Sequence, residues 1–357
     1  MPRYYFPGGN TPGGFFNCFG SIPCAGERTI YLKGASGSGK STFMRRAAAA
    51  FEARGFTVEY FRCSNDPGSL DGVRVPRLFC IVDGTAPHVQ DPAVPVAYDE
   101  LFNMAAFIDP KAVAAHSGEL RGLARQKKQL YDSGYGYLAA AWAVYRNNIR
   151  IYERFLDRAK LNAAVLDALS LFEGQRGPGG GGDRRLFAAA VTPEGFTRTL
   201  ESLMEQQTIF ILQGEIGMGT DIFLKSIRGA VNLRGFASES LLCPLDPGRL
   251  DHLALPELGL GFFTSSRLWT FEPPADARVI NFHAFLDSGI AEHREEIAHN
   301  NAMFDELAGR AVRALAAQRK LHDRAEEIYI AGMDFDALNE ACEKKIKKLL
   351  FFFGSML

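Results

Sequence analysis

The chain has 357 residues, a formal net charge of −1, 47% hydrophobic residues and 23% charged residues. That length favours two domains over one, and the composition is that of a globular protein rather than a disordered one. The near-neutral charge excludes a general pull toward nucleic acid or anionic membrane.

No apolar run approaches the ~20 residues needed to span a bilayer. The opening Met1-Pro2-Arg3-Tyr4-Tyr5-Phe6 has no apolar core of signal-peptide length. Cys18, Cys24, Cys63, Cys80, Cys243 and Cys342 form no C-x-x-C pair, so neither a zinc site nor a redox motif is signalled. Such sparse cysteine use fits a reducing, cytoplasmic location.

In chain order, residues 4–6 read as a short strand. Thr11-Pro12 reads as a helix start, with Thr11 as N-cap and proline at the first helical position. Residues 29–32 are a β-rich run fit for a buried strand. The next residues are Gly34-Ala35-Ser36-Gly37-Ser38-Gly39-Lys40-Ser41, the pattern G-x-x-x-x-G-K-[ST]. Thr42 and a run of helix formers through the alanines 47–50 follow. Strand, glycine loop and helix together form the setting of a P-loop, or Walker A, motif. Its glycines admit positive φ and close approach to a ligand. Successive N–H groups then form an anion nest, to which the helix N-terminus adds partial positive charge. Residues 34–42 are therefore assigned to nucleotide, with Lys40 on the β- and γ-phosphates and Ser41 on Mg²⁺.

A second strand is expected over 57–62, then a turn-rich segment, then a third strand over 78–82. Asp83 closes that apolar run, which is the Walker B arrangement and makes Asp83 the second Mg²⁺ ligand and, with Lys40, the catalytic pair. Gly84-Thr85 follow with no glutamate, so no residue is assigned as catalytic base. Asp66 and Asp71 read as turn and cap residues. Arg62, Arg74 and Arg77 are accessory candidates for neutralising transition-state charge, and His88 for a base or substrate contact. Surface or structural roles stay open for all four.

Residues 119–131 and 137–172 read as a helical hairpin broken near Ser133-Gly134, and 290–330 as one long helix. The stripe Arg146, Arg150, Arg154, Arg158 is interspersed with Glu153 and Asp157. It reads as a solvated, salt-bridged face rather than a nucleic-acid surface. The basic and apolar end, 344–353, has a composition that could touch membrane, but the more ordinary expectation is a final helix docking on the second half of the chain.

The chain repeats itself. At a shift of 180, Gly34, Gly37 and Gly39 meet Gly214, Gly217 and Gly219, Cys63 meets Cys243, and Asp66-Pro67-Gly68 meets Asp246-Pro247-Gly248. Upstream, Thr11-Pro12 meets Thr192-Pro193. Downstream, Ile151-Tyr152 meets Ile328-Tyr329. The glycine-rich 174–183 separates the copies, so the division is 1–173, an intact-motif domain, and 184–357, a degenerate copy. Degeneracy is specific: Lys40 becomes Thr220, Ser41 becomes Asp221 and Asp83 becomes Phe263. Arg62, Arg74, Arg77 and His88 become Leu242, Ala254, Glu257 and Leu268. The expected fold is α/β, with two tandem P-loop NTPase-like domains, each a mostly parallel sheet flanked by helices with a long helical extension.

The sequence resembles a group of bacterial tandem P-loop ATPase-like proteins. The resemblance rests on Tyr4-Tyr5-Phe6 with Gly8, Asn10-Thr11 and Gly14-Phe15, the run 34–41, Cys63-Ser64 with Asp66-Pro67, Ser69 and Asp71-Gly72, and 81–88. It covers essentially the whole chain and implies ATP binding and hydrolysis, whereas Thr220 and Asp221 depart from the pattern of an intact second loop. The resulting expectation is a Mg²⁺-dependent, ATP-binding protein, an ATPase acting through the first loop with the second copy as a pseudo-domain. Two alternatives stay open: a small-molecule phosphotransferase, and a nucleotide-gated interaction protein that docks a protein partner on its helical hairpin.

Overall fold

The structure is a computed structural model that describes residues 2–24, 26–204 and 208–353. The first half runs β1 (Arg3–Tyr5), β2 (Gly8–Thr11), β3 (Gly14–Asn17), β4 (Arg28–Lys33), α1 (Lys40–Glu52), β5 (Glu59–Arg62), β6 (Leu70–Val75), β7 (Phe79–Asp83), β8 (Glu100–Asn103), α2 (Pro110–Ala114), α3 (Ser117–Phe155) and α4 (Arg158–Ser170). The second runs β9 (Asp183–Leu186), β10 (Ala189–Thr192), β11 (Gly195–Arg198), β12 (Thr208–Gln213), α5 (Thr220–Leu233), β13 (Ser238–Cys243), β14 (Asp246–Leu255), β15 (Leu260–Ser265), β16 (Arg278–Asn281), α6 (Arg294–Ala331) and α7 (Phe335–Phe353). The protein is α/β, with mixed sheets flanked by helices.

The repeat reappears as two six-stranded sheets of one strand order, β1-β5-β6-β7-β4-β8 and β9-β13-β14-β15-β12-β16. Each is mixed: five strands run parallel, as expected, and one, β6 or β14, runs against them, because the segment read as turn-rich contains a strand. β6 runs antiparallel to both β5 and β7, with Leu70, Val73 and Val75 buried. β4 and β7 are parallel neighbours, with Leu32 opposite Asp83. Buried strands at a sheet centre need apolar residues on both faces, and Ile30 and Leu32 with Phe79, Ile81 and Val82 supply them.

The Thr-Pro segments start hairpins, not helices. Thr11 Oγ1 donates to Gly14 O (2.7 Å) and accepts from Gly13 N–H (3.1 Å), and Gly14 has φ +102°. Thr192 makes the same bonds to Gly195 and Glu194, with Gly195 at φ +110°. A left-handed glycine two residues past the proline turns the chain back before a helix can propagate.

The long helix is also continuous where a break was expected. α3 passes through Gly134 and Gly136 and ends only before Asp157, which caps α4 by accepting from Ala159 and Lys160 N–H. A helix glycine costs about 1 kcal/mol, too little to stop a helix of 39 residues. Among the described residues, no helix is long and apolar enough to cross a membrane.

The compact units do not follow the boundary at 174–183. One comprises Met1–Gly8, Asn17–Gly134 and Arg313–Leu357; the other comprises Gly9–Phe16 and Tyr135–Val312. The first repeat's sheet thus shares a unit with the end of α6 and with α7, both written in the second repeat. The second repeat's sheet shares a unit with the end of α3 and with α4, written in the first. α7 accordingly docks on α1, not on the second half. Its Leu338, Cys342, Ile346 and Leu349 join Phe43, Met44, Ala47 and Phe51 in one core. Leu161 and Ala168 are the buried residues of α4, which packs on α5.

Candidate functional site

Loop 34–39 joins β4 to α1, the strand–loop–helix order read from the sequence. Gly37 and Gly39 hold φ +75° and +79°, and Gly39 is the N-cap of α1. At Gly34 an added Cβ would clash with Ser38 Oγ. Ser38, fully buried, donates its hydroxyl to Ala35 O (2.7 Å) and braces the turn.

Lys40, the first residue of α1, folds back over the loop. Its Nζ donates to Gly34 O and Ala35 O (2.8 Å each) and lies 3.6 Å from Asp83 Oδ2. Asp83 ends β7 beside β4, and its Oδ1 accepts from Thr85 N–H (2.9 Å) and hydroxyl (2.6 Å), leaving Oδ2 toward the lysine. Ser41 Oγ accepts from Leu70 N–H (3.0 Å), tying α1 to β6. Thr42 is exposed on the first turn of α1.

His88 joins this group. Its ring stacks on Phe19 at 4.0 Å, Nδ1 lies 3.0 Å from Asp83 O, and Nε2 lies 4.0 Å from Asp71 Oδ1. Burial pulls the imidazole below its usual pKa, against the opposing pull of Asp83. Burial pushes Asp71 up to about 8, and the Asp83 charge adds to it. Ligand atoms of Asp71, Asp83 and His88 lie within 4.8 Å of one another, all three residues buried. Asp71, read from sequence as a turn residue, is therefore a wall of the site; its presence in both copies hid it.

The three arginines separate from this group. Arg74 is clamped by Glu27 (2.7 Å to each carboxylate oxygen) and Glu59 (2.9 Å). It sits opposite Cys80, near the start of β7 and away from Asp83 at its end. Arg77 lies in the turn before β7, where its N–H donates to Glu27. Arg62 stacks over Tyr4 (4.7 Å). Carboxylates paired so closely with Arg74 give it a structural task.

Three residues of the second repeat stand at the site and carry no local signal. Arg319 of α6 pairs with Asp66 at 2.6 Å. Burial would raise the Asp66 carboxyl, but Arg319 and Ser69 outweigh that and lower it. Glu326 and Ile330, also of α6, contact Gly37.

The loop 214–219 repeats the backbone without the charges. Gly217 and Gly219 have φ +106° and +97°, Thr220 is buried, and Asp221 binds Lys225 (3.0 Å) and Leu250 N–H (2.7 Å). Added Cβ atoms there would meet Ile149, Leu156 and Leu161 at 2.9 to 3.1 Å. A separate cavity of about 680 Å³, lined by Lys160, Phe210, Arg278 and Asn281 among others, lies between α4 and β16.

The first loop can thus present N–H groups, an ammonium and a buried carboxylate to one anion–cation pair. Ser41 and Asp83 carry hard oxygen donors, the donor type Mg²⁺ requires. Comparison with protein-family models, curated proteins and solved structures finds no match, so the reading rests on this geometry.

Proposed function

We propose that the protein is a Mg²⁺-dependent ATP-binding protein and an ATPase acting through the P-loop at 34–41. The observation that carries this is Lys40: it is folded onto the Gly34 and Ala35 carbonyls, 3.6 Å from an aspartate ending the adjacent parallel strand. The loop N–H groups and the start of α1 favour phosphate oxygens, and Lys40 adds a charge-assisted contact to the β- and γ-phosphates. Ser41 and Asp83 would hold Mg²⁺, which when bound neutralises charge developing on the transferring phosphoryl group. Asp83 also fixes Lys40 by charge, while Thr85 and His88 fix Asp83. The second loop supports a non-binding role, because its anion-facing positions are Thr220 and Asp221.

Lys40→Ala is expected to abolish ATP binding by titration calorimetry, from one nucleotide per chain to none. Undiminished affinity in that variant would remove the loop from the nucleotide site.

A further inference from the structure

α6 is written in the second repeat, yet its last turns lie in the unit of the first repeat's sheet. A Cβ placed on Gly37 would meet Ile330 Cγ1 at 2.7 Å and Glu326 Cγ at 2.9 Å. Glu326 is half-buried, and its carboxyl feels the Lys40 charge. In the other unit, the equivalent glycine, Gly217, meets Ile149 of α3. The alignment of Ile151-Tyr152 with Ile328-Tyr329 places Ile149 opposite Glu326. The same helix position therefore rests on the same loop glycine in both units. Over the loop with Thr220, Asp221 and, where the strand register sets the counterpart of Asp83, Thr264, it is isoleucine. Over the loop with Lys40, Ser41 and Asp83 it is glutamate.

The same alignment sets Ile330 opposite Glu153, so isoleucine and glutamate change places one turn apart, and in the first unit the exchange leaves a half-buried carboxylate beside the loop glycine at a desolvation cost. That carboxyl lies within the field of Lys40, at a site that lacks any carboxylate directly after Asp83.

We propose that Glu326, supplied by the second repeat, is the catalytic base of the first repeat's site. The proposal rests on the ATPase reading above. The water oxygen forms a bond to the γ-phosphorus as the bond from that phosphorus to the bridging oxygen breaks, and ADP leaves with the bonding pair. The water proton passes to the Glu326 carboxylate and from there to solvent. Lys40 offsets the negative charge of the phosphates, and Ile330 covers the loop beside Glu326.

The test uses the full-length chain with ATP and Mg²⁺. Glu326→Gln keeps size and shape, and its kcat is expected to fall at least ~100-fold, the scale of a lost general base. Its ATP affinity should stay within about threefold of the parent, about half the free energy of the tenfold change that 1.4 kcal/mol brings, and its melting temperature should not move. Glu327→Gln, one residue on and exposed, should behave as the parent. A Glu326→Gln enzyme that turns over at the parental rate would overturn the assignment while leaving the ATPase reading intact. Loss of ATP binding together with turnover would also overturn it, making Glu326 a support of the loop. A parent chain that binds no ATP would overturn both readings.

Discussion

Ser41 has a structural task besides the one proposed for Mg²⁺. Its Oγ accepts from Leu70 N–H, and in the second repeat Asp221 Oδ1 accepts from Leu250 N–H. The change from serine to aspartate thus keeps a buried backbone donor satisfied while replacing a neutral hydroxyl with a charge that repels phosphate. Ser41→Ala should cost about 1–3 kcal/mol by orphaning Leu70 N–H, whereas Ser41→Asp should retain most of that stability. Both should lose Mg²⁺-dependent turnover. Urea melts alongside phosphate release would check this, and a Ser41→Asp chain as unstable as Ser41→Ala would refute the shared capping role. Arg74 shows the limit of reading a residue by type: two glutamates already hold its guanidinium.

At the scale of the element, β14 carries two adjacent buried groups with opposite pH behaviour. Burial raises Asp251 to about 7 and lowers His252 to about 3. Thr264 N–H donates to His252 Nδ1 (3.0 Å), and Nε2 has no hydrogen-bond partner among the described residues. For Asp251, the folded state binds the proton more tightly, so its contribution is full below about pH 4 and is lost as pH rises toward 7. For His252, the contribution is present above about pH 6.5 and is lost as pH falls toward 3. Between about pH 4 and 6.5 the two slopes offset each other. Asp251→Asn removes the first, so its stability relative to the parent should rise with pH across that window. Urea midpoints of both chains at pH 4.5, 5.5 and 6.5 measure this, and a pH-independent difference would show that Asp251 titrates normally.

At the scale of the whole molecule, neither repeat holds all the residues of a compact unit. Residues 1–173 lack α7, whose Leu338, Cys342, Ile346 and Leu349 complete the core around α1. Exposing four such side chains forfeits about 1.5–3 kcal/mol each, comparable with the entire 5–15 kcal/mol stability of a typical domain. The fragment 1–173 is expected to aggregate or to unfold without a cooperative transition, and to show no ATP turnover because Glu326 is missing. Circular dichroism melts and phosphate release would test both. A cooperatively folded, fully active fragment would mean that the first repeat is self-sufficient.

The sequence by itself determined what depends on short stretches of chain. The glycine loop between a strand and a helix, the aspartate closing the adjacent strand and the repeat at 180 residues are local patterns of spacing and residue type. Their structural counterparts stand where those patterns put them. Local pattern also misled: Thr-Pro serves a hairpin turn as readily as a helix cap, and β6 is too interrupted by Asp71 and Gly72 to show a strand period. Tertiary structure alone decided the exchange of helices, the clamp on Arg74, the convergence of Asp71 and His88 on Asp83, and the arrival of Arg319 and Glu326 at the first loop. Glu326 and Gly37 are far apart in sequence and share no periodicity, so only the burial of apolar helix faces in the folded chain brings them together.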